Sequence, residues 1–129
     1  MMKKPMPRSN RKRPPSSTEI PVWQVTLDIL LYPEGGVFIA HCLQTDTASQ
    51  GTTEAVAFKA LCEALEAELE EAIGDEDLAR VFEHRAPQSL WKLRESARQE
   101  FAHIRLDAPS LPSEHREFFA TKYLVSGVA

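Results

Sequence analysis

Cysteine is scarce in this chain of 129 residues: there are two, Cys42 and Cys62, about twenty positions apart. That excludes a close-spaced zinc or redox pair, and both are expected to be reduced, buried small hydrophobes. Long apolar runs are missing too. None approaches the ~20 residues that span a bilayer, and no apolar segment follows the basic start Met1–Arg13 as a secretory signal would require, so a cytoplasmic protein is expected. The four histidines lack the i,i+4 pairing of a helical metal site; His84, His103 and His115 are scattered and read as surface residues. Glycine is sparse, and Gly35-Gly36 is explained by a turn, which leaves no phosphate-cradling loop. No cofactor, no metal and no catalytic residue is expected.

Charge is present but unevenly spread. Lys3, Lys4, Arg8, Arg11, Lys12 and Arg13 supply six of the 15 basic residues before the first acid, Glu19. The remainder holds 9 basic against 19 acidic groups, a net of −10. Such a body repels nucleic-acid phosphates and attracts basic proteins. The tail is the opposite case: its six basic residues are candidates for sequence-blind, salt-sensitive contact with nucleic acid, or for a solubilising leader.

One domain suits this length. Residues 1–21, with five prolines among basic and serine residues, form a disordered tail by composition. From Val22 the apolar residues alternate through Trp23, Val25, Leu27, Ile29 and Leu31, a strand with one buried face. Pro33-Glu34-Gly35-Gly36 makes a hairpin turn. The returning strand, Val37–Leu43, is apolar on both faces, and Thr45–Gln50 adds a short third strand. Thr52 or Thr53 caps a helix whose Ala57, Leu61, Leu65, Leu69 and Ile73 pack on the sheet, with Glu63, Glu66, Glu70 and Glu71 opposite. Gly74 stops it. A short helix through Leu78, Val81 and Phe82 follows, then one led by Pro87 and holding Leu90, Trp91, Leu93, Arg94, Ala97 and Phe101. His103–Asp107 alternates like a brief edge strand, and Glu114–Tyr123, with Phe118, Phe119 and Tyr123, reads as a last helix. The expected fold is α+β: a small antiparallel sheet with a long amphipathic helix in residues 22–73, and a mostly helical C-terminal extension, residues 74–129, completing the same domain.

Phe38-Ile39-Ala40 on a strand, Gly51-Thr52-Thr53 at the helix start, and Ala57, Leu61, Glu63, Ala64, Leu65, Glu66, Leu69 and Glu70 along the helix resemble the HicB-like antitoxin family over about residues 22–72. The resemblance implies a truncated ribonuclease-H-like fold that occludes a small basic ribonuclease toxin and assembles as an oligomer. This chain departs from the pattern at Thr52, where the family usually carries an acid, and in Cys42–Thr47, which has no proline. Nor does 75–129 contain a full helix-turn-helix or ribbon-helix-helix; its strand and single helix lack the second helix.

Candidate partner-binding residues are therefore Glu63, Glu66 and Glu70 for steering a basic protein, with Phe38 and Trp91 as apolar anchors. Phe38-Ala40-Cys42 would face a second subunit if the helix covers the other side of the sheet. The alternatives are a solitary HicB-like oligomer without a toxin partner, a nucleic-acid-binding protein using its tail, and a metal-dependent nuclease. The last needs converging carboxylates. Asp28 would open such a cluster with Asp46 or Glu63, but no spacing forces the three together, and a solvent-facing Asp28 is expected. Cys42 next to His41 is not a nucleophile–base pair, because neighbours on a strand point to opposite faces.

Overall fold

The computed structural model describes residues 22–109 and 115–125. Five strands form one sheet in the order β3-β2-β1-β5-β4. They are β1 (Val22–Glu34), β2 (Val37–Cys42), β3 (Thr47–Gly51), β4 (Arg98–Leu106) and β5 (His115–Leu124). Helix α1 (Glu54–Gly74) follows the first three strands, and a 3₁₀ turn (Leu78–Phe82) and helix α2 (Gln88–Glu95) precede the last two.

The expected meander is present: β1 pairs antiparallel with β2, and β2 with β3. Glu34 pairs with Val37, so the loop is Gly35-Gly36 alone, at φ 59° and 86°. Two successive positive φ values make the primed turn that matches strand twist, a conformation costly for any residue with a Cβ. At the next turn Asp46 takes φ 60°, which a short acidic side chain tolerates.

Helix α1 begins where a cap is available. Thr53 Oγ1 accepts the Val56 N–H at 3.1 Å, satisfying one of the first-turn donors. Gly51 is fitted to the same corner: a Cβ there would lie 2.6 Å from the Ala57 backbone nitrogen. The stripe Ala57, Phe58, Leu61, Leu65, Leu69 and Ile73 then packs on Leu27, Ile29, Leu31, Ala40, Cys42, Phe118 and Ala120 to form the main core. Each large apolar side chain buried there contributes about 1.5–3 kcal/mol. A smaller cluster lies on the opposite face, where Leu30, Leu43 and Ala86 meet Tyr32, Leu90, Trp91, Leu93 and Tyr123.

The C-terminal extension is not mostly helical. The expected last helix, Glu114–Tyr123, is strand β5, which lies beside β1 in parallel register, Val25 opposite Phe118 and Leu27 opposite Ala120. Its apolar residues satisfy both periods, but Phe118 and Ala120 are buried at strand spacing and the aromatic and β-branched content suits a strand. The sheet is consequently mixed, not antiparallel throughout. The helix expected to carry Leu90 through Phe101 ends at Glu95; Ser96 and Ala97 turn the chain, and Arg98 onward pairs with β5. The edge strand expected at His103–Asp107 is there, but it starts earlier, at Arg98, with an irregularity between Gln99 and His103. Interruptions of this kind at a sheet edge discourage pairing with another chain.

Candidate functional site

Two surfaces carry the chemistry, one on each side of the sheet. The first is the outer face of α1, which has Lys59 as its one basic residue against six glutamates. Glu63 forms an i,i+4 pair with Lys59. Glu66 is committed to the fold, since its Oε2 accepts the Asp107 N–H at 2.8 Å and ties the end of β4 to the helix. Glu68 likewise accepts from Thr47 Oγ1 at 2.9 Å. Glu70 and Glu71 are exposed, and Asp75, Glu76 and Asp77 continue the acidic surface past the helix end, where Arg80 pairs with Asp75 at 3.0 Å. No basic residue occupies the last turn of α1. Glu70 and Glu71 thus sit near the negative end of the helix dipole, with Glu66 and Glu70 repelling one another at i,i+4.

The second surface surrounds Asp28, and it corrects the expectation of a solvent-facing carboxylate. Asp28 is only 8% exposed. Its Oδ2 accepts from Arg94 Nη1 at 2.7 Å and from Gln44 Nε2 at 3.1 Å, and its own backbone N–H donates to Gln44 Oε1 at 2.8 Å. A desolvated carboxylate needs such partners to remain charged at tolerable cost. Arg94 in turn lies over the rings of Trp91 (5.3 Å) and Tyr123 (5.5 Å), while Arg85 stacks on Trp91 at 4.2 Å. Burial, and then the neighbouring Asp28 charge, push the Tyr123 hydroxyl pKa up. An open cleft of about 340 Å³ lies above this group, lined by Arg85, Ala86, Gln88, Trp91, Arg94 and Glu95.

Phe38 is half-buried and packs against the main core. The face bearing Phe38, Ala40 and Cys42 is the one α1 covers, so it offers no bare sheet for a second subunit. Trp91, by contrast, faces the cleft. Asp28, Asp46 and Glu63 are not brought together: Asp28 pairs with Arg94, Asp46 Oδ1 lies 2.7 Å from His41 Nε2 on the β2–β3 turn, and Glu63 is on α1. Among the described residues no group of three His, Cys, Asp or Glu side chains is placed to hold a metal ion. Cys42 is fully buried beneath α1, its thiol pKa raised by burial; the Cys62 thiol is pushed up to about 11, mainly by burial and then by Glu66. His103 Nδ1 pairs with Thr121 Oγ1 at 2.9 Å. Lys3, Lys4, Arg8, Arg11, Lys12 and Arg13 lie outside the described residues, as does the whole tail, residues 1–21.

No local residue pattern identifies the Asp28–Arg94 pair or the cleft. A carboxylate in the middle of an apolar strand was a signal that some partner must exist; which residue it was depended on how the C-terminal half packs. Among the described residues no helix is long and apolar enough to cross a membrane. No protein-family model, curated protein or solved structure matches the chain.

Proposed function

We propose that this chain is a protein-binding module of the HicB-like kind, which engages a small basic ribonuclease-like partner through the acidic end of α1 and occludes it sterically. The β1–β2–β3 meander, the Gly51 corner, the Thr53 cap and the long glutamate-rich helix supply the order of elements on which the resemblance rests. The observation that carries the reading is the exposed group Glu70, Glu71, Glu76 and Asp77 at the end of α1, beside Asp75, which Arg80 already pairs. These acids stand together where the helix dipole makes negative charge unfavourable, and a cationic partner would relieve that repulsion while being steered by it.

The test is co-purification of tagged protein from its own cells at moderate salt, followed by mass spectrometry, with the Glu70→Lys/Glu71→Lys double variant in parallel. A small, basic, stoichiometric partner that is lost in the variant and at high salt supports the reading. Recovery of self-associated chains alone would instead favour a solitary oligomeric module. A basic partner retained equally by the variant would move the interface away from α1.

A further inference from the structure

We infer that the cleft over α2 is a binding site for a small oxyanion, a carboxylate or phosphate group, held by Arg85 with Gln88 and Arg94. It lies on the sheet face opposite α1 and is independent of the acidic surface proposed for a protein partner.

The cleft is formed by one face of α2 and the segment just before it. Gln88, Trp91 and Glu95 stand at i, i+3 and i+7, one above another, and Arg85 and Ala86 close the side. The Ala86 N–H donates to the Leu43 carbonyl at 3.0 Å, anchoring that segment to the end of β2. Arg94 is held from below by Asp28. The wall is therefore tied at both ends to the sheet.

Arg85 is exposed and stacked on Trp91, its guanidinium carbon 4.2 Å from the ring centroid. Stacking uses the face of a guanidinium and leaves its N–H edges free in the plane. Among the described residues no carboxylate pairs with it. Arg94 gives one Nη1 proton to Asp28 and another N–H to the Tyr123 hydroxyl, and three of its five donors remain. Two planar forks and the Gln88 amide on one cleft match the flat or tetrahedral array of acceptors on a carboxylate or phosphate. Glu95 lines the same cleft and opposes an anion, which gives the site an internal control: removing its charge should tighten binding, whereas removing that of Arg85 should weaken it.

Trp91 reports on the site directly. The chain has two tryptophans, and Trp23 is 56% exposed on the first strand, so Trp23→Phe leaves a single indole. The experiment follows the Trp91 indole N–H resonance of the full chain during titration with inorganic phosphate and, separately, acetate, each against sodium chloride at equal ionic strength. The expected result is a saturable shift with phosphate, acetate or both. Arg85→Gln should weaken it about tenfold, the worth of one charge-assisted contact, with an unchanged melting midpoint, and Glu95→Gln should strengthen it. Saturation with phosphate alone identifies a phosphate-bearing ligand, and with acetate a carboxylate. A shift that never saturates, that chloride reproduces, or that Arg85→Gln leaves intact would overturn the assignment.

Discussion

Arg94 Nη1 lies 2.7 Å from Asp28 Oδ2, an ion pair that joins α2 to the central strand of the sheet beside the apolar packing of Leu90, Trp91 and Leu93. The carboxylate side chain is 11% exposed and the guanidinium 34%, so the pair is desolvated mainly on the acid side. Removing Arg94 would leave Asp28 largely buried, with Gln44 and the Tyr123 hydroxyl as its remaining side-chain partners.

Arg94→Met is expected to destabilise the fold by about 1–3 kcal/mol, below the ~3–5 kcal/mol of a fully buried pair because the arginine is one-third exposed. Asp28→Leu added to Arg94→Met should recover part of the loss, since no unpaired charge then remains. Urea unfolding of both single variants and the double variant measures the coupling. Additive effects would show that the pair contributes little.

Gly51→Ala should cost about 1–3 kcal/mol, because the added methyl meets the Ala57 nitrogen at 2.6 Å and the start of α1 must move. Thr53→Ala, which only removes the cap, should cost about 1 kcal/mol. A drop in melting temperature larger for the glycine variant than for the threonine variant is the expected order.

Phe38→Asp should lower stability by about 2 kcal/mol or more, because Phe38 packs against the core under α1 and its replacement sets a charge there. The particle mass from light scattering should not change at concentrations where the protein stays folded. A halved mass without loss of stability would instead place Phe38 in an interface.

Cys62 should be slow to alkylate. With its thiol pushed up to about 11 from an ordinary value near 9, the thiolate at pH 8 is about a hundredth of that of a free thiol. Cys42, buried under α1, should react only as the helix opens. The same shift has a sign for stability. The unfolded thiol gives up its proton near pH 9 and the folded one near 11, so the contribution is complete below pH 9 and is lost as pH rises between the two. Iodoacetamide rates across pH 7–10, in native buffer and in urea, check both statements.

Much of the first half was legible in the residues. The alternation through Leu27, Ile29 and Leu31 is a property of one strand, and Gly35-Gly36 and Thr53 act through contacts within three residues. The four-residue recurrence from Ala57 to Ile73 likewise needs no knowledge of the rest of the chain. The candidate sites were less legible. Glu66 has the spacing of an outward-facing acid, yet it is spent on the Asp107 N–H, a contact created only when β4 returns beside the helix.

The sequence by itself determined the meander, the turn, the capped helix and the accumulation of acid along it, because local sterics and periodicity decide these within a few residues. Only the tertiary structure decided that His115–Leu124 is a strand. Phe118, Phe119 and Tyr123 suit either period, and the choice is made by β1, which offers an open edge and parallel partners from Val22 to Leu31. Pairing of β5 there, and of β4 with β5 in turn, shortens α2 and seats it over the other sheet face. That packing brings Arg94 to Asp28 and Arg85 to Trp91, side chains whose meeting depends on the energetics of the whole sheet and on no local pattern.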